Sequence, residues 1–146
     1  MSRSPFQVLV FLLRQQEGQK EVLLLKRADM GIWQGIAGGG EGEESPVEAA
    51  KREVREETGA CLSCVTDLDS VEMLSVLDVV GSHRWGEGVA YIPEYVFFAS
   101  VSSDTQIRIS KEHTEYRWCG FDQALDLLEW NSNKQAVKKI RAIRKR

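Results

Sequence analysis

Hydrophobic residues come in short runs along this chain. "FQVLVFLL" (6–13) and "EVLLLKR" (21–27) are nearly continuous apolar stretches separated by the polar, glycine-containing "QQEGQK". Runs this short, rich in branched and aromatic residues and bounded by a turn signal, predict two buried β-strands. A glycine-rich loop, "GIWQGIAGGGEGEE" (31–44), is expected next, followed by a helix. "VEMLSVLDVV" (71–80), "EYVFFASV" (94–101) and "QIRI" (106–109) read as further strands, and "YRWCGF" (116–121) as the start of another. "FDQALDLLEW" (121–130) and "NKQAVKKIRAIRK" (133–145) carry apolar residues at helical spacing and close the chain. Strands dominate, with three helices between or after them. The pattern therefore predicts an α/β (α+β) protein with a mixed sheet covered on its faces.

The length, 146 residues, fits a single domain spanning 1–146 with a real core. A composition of 42% hydrophobic and 28% charged residues is that of a soluble globular chain, and no apolar run reaches the roughly 20 residues that cross a bilayer. Phe6–Leu13 resembles the apolar core of a leader but lacks a small-residue cleavage site and runs straight into Arg14. It reads as a strand, with a cytoplasmic location expected and no membrane partner. Three cysteines, Cys61, Cys64 and Cys119, include a C-x-x-C that does not open a helix after a strand, so ordinary reduced thiols are expected. The net charge of −3 hides an uneven distribution: seven Lys and Arg lie from Lys134 onward with no acid among them. Ala136, Val137, Ile140 and Ile143 fall at helical spacing there, so a final amphipathic helix, not a nucleic-acid arm, is the reading.

The candidate chemistry lies in "GGGEGEESPVEAAKREVREETGA", Gly38 to Ala60. Ser45-Pro46-Val47-Glu48 is a helix start, with a capping serine, a first-turn proline and a glutamate three residues on. Gly59 is placed to end the helix. Val47, Ala50 and Val54 share one face and are expected to pack on the sheet. Glu53, Glu56 and Glu57, three and four residues apart, put their carboxylates together on another. Three like charges on one face repel, and a hard divalent cation would reverse the sign.

This stretch resembles the Nudix signature, G-x5-E-x7-R-E-U-x-E-E-x-G-U, where U is a bulky aliphatic residue. Gly38, Glu44, Arg52-Glu53-Val54, Glu56-Glu57 and Gly59 stand at the required spacing, with the smaller Ala60 in the last position. The resemblance implies an αβα sandwich with a mixed sheet. It also implies hydrolysis of a nucleoside diphosphate linked to another group, with Mg²⁺ or Mn²⁺ as cofactor. By the same resemblance Glu53, Glu56 and Glu57, with the Gly38 carbonyl, are metal ligands. Arg52 orients the acids of the motif, and Glu44 is mainly structural.

Outside the box, "GIWQGIAGG", "EHTEYRWCGFDQAL" and "WNSNKQAV" resemble the bacterial dihydroneopterin triphosphate pyrophosphohydrolases, also described as dATP pyrophosphohydrolases. In that MutT-like branch a glutamate of the E-H-x-x-Y-x-W segment lies beside the metals. This implies Glu112 as a further ligand or base, with Glu115 the alternative acid in the same loop. The substrate implied is a nucleoside or pterin triphosphate. Other nucleoside diphosphate-linked compounds and a non-catalytic nucleotide sensor stay open. Trp33, Gln34 and Trp118 are the candidates to line the base or pterin pocket, and the two tryptophans serve equally well as core or rim aromatics. Arg27 stands either as a phosphate contact or as a surface arginine. Asn131 and Asn133 are read as helix caps before ligand contacts. His83 and Arg84 are weaker candidates, and His113 is a neighbour of Glu112. A second copy of the chain is left open as a partner.

Overall fold

Alternate residues of the first strand, β1 (Arg3–Gln16), feed two different cores. Leu9, Phe11 and Leu13 join one buried cluster, whereas Phe6, Val8, Val10 and Leu12 join the other. A strand buried on both faces must lie mid-sheet with a layer on each side, which is why its sequence is a continuous apolar run and not an alternating one. The computed structural model describes residues 3–75 and 91–144.

β1 turns through Glu17 and Gly18, both at positive φ, into β2 (Gln19–Arg27). The two pair antiparallel from Gln16↔Gln19 to Leu13↔Val22 and then separate. The space between them is filled by β3 (Trp33–Gln34), which pairs β2 at Leu25↔Gln34, and by β4 (Ile36–Glu41), which pairs β1 from Val10↔Ile36 onward. On its other edge β1 runs parallel to β6 (Tyr91–Ser100), which in turn pairs antiparallel with β5 (Thr66–Ser75). β7 (His113–Cys119) is antiparallel to β2 on that strand's outer edge. One parallel pair among antiparallel ones makes the sheet mixed, as expected.

Helices cover both faces. α1 (Pro46–Thr58) packs Ala49, Ala50 and Val54 into the cluster that holds Val8, Val10, Leu23 and Leu25. α2 (Phe121–Leu127) and α3 (Asn131–Arg144) bury Ala124, Ala136, Val137 and Ile140 against Leu9, Phe11 and Leu24 on the opposite side. The result is the αβα sandwich. α3 leaves Lys138 and Lys139 exposed, in line with an amphipathic helix, although Ile143 is also exposed. Cys61 and Cys64 are exposed and Cys119 buried, all three as free thiols. Among the described residues no helix is long and apolar enough to cross a membrane.

Three local expectations differ. The stretch 31–44 is not simply a loop: it contains β3 and β4, because Gly35, Gly38 and Gly40 each lie where a Cβ would strike the Phe11 ring, the Glu53 carboxylate or the Phe6 ring. Glycine here marks close packing against a strand. "QIRI" is not a strand. It runs along the C-terminal end of α1, where the Arg108 N–H donates to the Thr58 carbonyl and Ile107 and Ile109 pack on the α1-side core. Finally, Val47 is exposed and Ala49 takes its place on the buried face of α1. The predicted strand at 71–80 is seen through Ser75, and its remainder lies outside the described residues.

Candidate active site

Local signals fix the helix that carries the acids. Ser45 caps α1 and Glu48 bonds back to the Ser45 N–H, closing the capping box, and Gly59 ends it at φ 79°. With α1 packed under β4, Glu53 meets the strand backbone: a Cβ at Gly38 would lie 2.2 Å from the Glu53 carboxyl carbon. Only glycine leaves that space open. Glu53 is 7% exposed, and burial pushes its pKa up to about 7 against the pull of Arg52, with Glu56 and Glu57 adding to the rise.

Arg52 organises the rest of this face. Its Nε and Nη2 hold Glu44 in a bidentate pair at 2.7 and 3.0 Å, Nη1 donates to Glu53 and Glu56 at 2.9 and 2.7 Å, and Nη2 also donates to the Gly39 carbonyl at 2.9 Å. The Arg52 hydrogen bonds hold the Glu44 carboxyl below its ordinary range, and Glu44 also accepts from the Glu41 N–H. One planar cation thus ties the helix, the β4 backbone and the loop between them.

Glu57 faces a different element. Its Oε2 accepts from the Ser110 hydroxyl at 2.8 Å and lies 2.8 Å from His113 Nδ1. The latter is a close polar contact that falls outside hydrogen-bond geometry. Burial raises the Glu57 carboxyl, but His113 and Ser110 outweigh it and the net shift is downward. The Glu112 side chain also hydrogen-bonds Glu57. Glu112 is anchored through its backbone, its N–H donating to Ser110 Oγ and its carbonyl accepting from the Ala28 N–H. Glu53, Glu56 and Glu57 of α1 are thereby neighbours of Glu112, which comes from a loop 55 residues further along the chain. Glu115 instead pairs with Lys26 at 3.4 Å on the exposed β2–β7 ladder.

The family profile for the NUDIX domain fits residues 4–140. The chain belongs to the NUDIX domain family. It stands among the Nudix hydrolases, enzymes that open phosphoanhydride bonds in nucleoside diphosphate-linked compounds. A crystal structure described as a NUDIX hydrolase from Listeria monocytogenes superposes with a TM-score of 0.86 at 35% identity, covering 97% of this chain and 95% of that one. The dihydroneopterin triphosphate diphosphatase of Escherichia coli K12 is 29% identical over 148 residues, 94% of this chain and 93% of the relative. The E. coli dihydroneopterin triphosphate pyrophosphohydrolase structure gives a TM-score of 0.80, with 95% and 96% coverage. A mouse asymmetrical bis(5'-nucleosyl)-tetraphosphatase is 30% identical over 120 residues, 81% of this chain and 76% of the relative. An octanoyltransferase of Myxococcus xanthus is 30% identical over 141 residues, 92% of this chain but only 36% of that longer protein.

The remaining candidates of this Nudix chain are dispersed. Arg27 is held by Asp29 through two contacts of 3.0 and 2.6 Å. Gln34 is buried and shares the α1 side of the strand with Ile36 and Gly38. Trp33 and Trp118 lie on opposite faces. Trp33 packs on the α2–α3 side, with Arg117 and Lys26 5.1 and 5.9 Å from its ring centroid, whereas Trp118 packs on the α1 side under Arg14 at 4.5 Å. Asn133 is buried inside α3 and accepts from the Gly35 N–H at 2.8 Å, so its side-chain oxygen does not cap the helix. Trp130 supplies the carbonyl that starts α3. His83 and Arg84 lie outside the described residues. Sequence reasoning missed Ser110, which no motif distinguishes from other loop serines, and passed over His113 as a mere neighbour.

Among the described residues no three His, Cys, Asp or Glu side chains already close on one point. The donor set nevertheless fits a hard divalent cation. Its side-chain donors are all carboxylate oxygens, the ligand type that hard divalent ions prefer.

Proposed function

We propose that this Nudix hydrolase cleaves a nucleoside or pterin triphosphate, releasing pyrophosphate and the monophosphate, with Mg²⁺ as cofactor and Mn²⁺ as a substitute. The observation that carries the reading is the acid face of α1. Arg52 holds Glu44, Glu53 and Glu56 together, and Glu53 is seated on the Gly38 backbone. Glu53, Glu56, Glu57 and Glu112, with the Gly38 carbonyl, would hold the metal. When bound, a divalent cation neutralises phosphate charge and acidifies water.

The chain's own residues supply the rest. Water attacks phosphorus, the bridging P–O bond breaks, pyrophosphate leaves, and Glu112 takes the proton released by the water. Glu112 suits that role because its backbone is anchored on both sides while its carboxyl borders the α1 face. Arg52 fixes the spacing of the acids, and Gln34, on the α1 side of the sheet with Gly38, is the proposed base or pterin contact. The likeness to the E. coli diphosphatase, end to end in both chains, supports a triphosphate substrate. The likeness to the mouse tetraphosphatase supports a second reading, a dinucleoside polyphosphate.

A substrate panel with Mg²⁺ separates the two. Pyrophosphate released from dihydroneopterin triphosphate or dATP, with little cleavage of dinucleoside tetraphosphate or ADP-ribose, is the expected result, and the reverse pattern overturns the triphosphate reading. In the same assay Glu56→Gln is expected to lower turnover by roughly 100-fold or more, and Glu112→Gln by at least about tenfold, with Glu115→Gln much less affected. Wild-type turnover in Glu56→Gln at saturating Mg²⁺ removes α1 from the chemistry. Equal, small losses in the Glu112 and Glu115 variants place the base elsewhere.

A further inference from the structure

Ser110 and His113 make a short relay between two parts of the chain that meet only in the folded state. The Glu112 N–H donates to Ser110 Oγ at 3.2 Å, the Ser110 hydroxyl donates to Glu57 Oε2 at 2.8 Å, and His113 Nδ1 lies 2.8 Å from the same oxygen. The His113 N–H donates to the Ser110 carbonyl at 3.1 Å, which closes the turn holding both side chains in place. His113 is 9% exposed and stands opposite Arg27 in the β2–β7 ladder, so its ring has a fixed base. Two of these contacts, from the Ser110 hydroxyl and from His113 Nδ1, converge on Oε2 of Glu57.

We propose that Ser110 and His113 form a clasp that fixes the orientation of the Glu57 carboxylate toward the metal and sets the Glu112 loop in register with the acid face of α1. They are positioning residues, acting through Glu57 and Glu112 and not on the substrate. The inference rests on the metal-binding reading of α1. Outer contacts of this kind orient ligating carboxylates and are commonly worth about 10–100-fold in metal affinity or activity. The clasp also gives a physical reason for a buried histidine in a segment that otherwise faces water: β7 is exposed from Thr114 to Arg117, yet its first residue is buried against α1.

The test measures Mn²⁺ binding to the substrate-free protein by the electron paramagnetic resonance signal of the free ion, together with the metal-free melting temperature. Glu57→Gln, Ser110→Ala and His113→Ala are each expected to weaken Mn²⁺ binding by about tenfold or more. Ser110→Thr, which keeps the hydroxyl, and His113→Asn, whose amide nitrogen stands where Nδ1 was, are expected to retain wild-type affinity. Weak binding in Glu57→Gln but wild-type binding in both alanine variants overturns the clasp and leaves the metal reading intact. Wild-type binding in Glu57→Gln overturns the metal reading itself, and the clasp with it. Threonine and asparagine variants as weak as the alanine ones, with melting temperatures lowered in step, would reduce both residues to packing. Should His113→Ala fail to fold, the Ser110→Ala and Ser110→Thr pair decides alone, since neither change opens a large cavity.

Discussion

Adding one methyl group at Gly38 would place it 2.2 Å from both the carboxyl carbon and Oε1 of Glu53. Gly38→Ala is therefore expected to destabilise the fold by about 1–3 kcal/mol through overpacking. Most of that loss should vanish in a Glu53→Ala background, because the clash partner is gone. Urea denaturation of the four proteins in this cycle measures the coupling, and equal losses in both backgrounds would show that the glycine serves the strand alone. Burial of Glu53 also sets a pH dependence. Its folded pKa of about 7 lies above the ordinary 4.5, so its contribution to stability is full below the ordinary value and is lost as pH rises through the folded one. Glu44 and Glu57, both shifted downward, act oppositely: they stabilise above their ordinary range and lose that contribution in acid. Binding of Mg²⁺ relieves the cost of ionised Glu53, so the rise in melting temperature caused by Mg²⁺ is expected to grow from about pH 5 to about pH 8. Glu53→Gln should flatten that growth; an unchanged pH profile in this variant would detach it from Glu53.

At the scale of elements, α1 and the β3–β4 ribbon teach opposite lessons. Both ends of α1 were readable, because a capping box and a left-handed C-cap are local chemistry between residues at most four apart. Ser45→Ala is expected to cost about 1 kcal/mol in chemical denaturation without moving the site. The ribbon was read only as a glycine-rich loop. Its glycines answer to Phe6, Phe11 and Glu53, which are distant in sequence, so no local rule marks them as strand residues. Its bend at Gly35 leaves a backbone N–H that Asn133 satisfies from α3, across 98 positions. Asn133→Ala strands that buried donor and is expected to cost about 1–3 kcal/mol, whereas Asn131→Ala, at an exposed position, should cost little. Matching midpoints in urea for the two variants would mean that the Gly35 N–H finds another partner.

Over the whole molecule, the division of the sheet into two faces settles which side chains can share a site. Trp33 and Trp118, paired on sequence grounds as lining residues, are kept apart by the sheet itself. Trp118 also lies four register positions up β2 from the Arg27 end, stacked under Arg14 near the β1–β2 turn. Trp118→Phe is thus expected to lower stability while leaving KM for the cleaved triphosphate unchanged; a raised KM with normal stability would return Trp118 to the pocket. By itself the sequence determined the helix, the placing of Glu53, Glu56 and Glu57 on it, the burial of the first strands and hence the layered α/β class. These follow from spacing along one chain segment, where helical and strand periods dictate which side chains meet. Only the tertiary structure decided that Glu53 is the buried carboxylate, that Ser110 and His113 reach Glu57 from 53 and 56 residues away, and that Arg27 turns to Asp29. Each depends on how β4 and β7 close over α1. That closure is set by non-local packing, which no local period encodes.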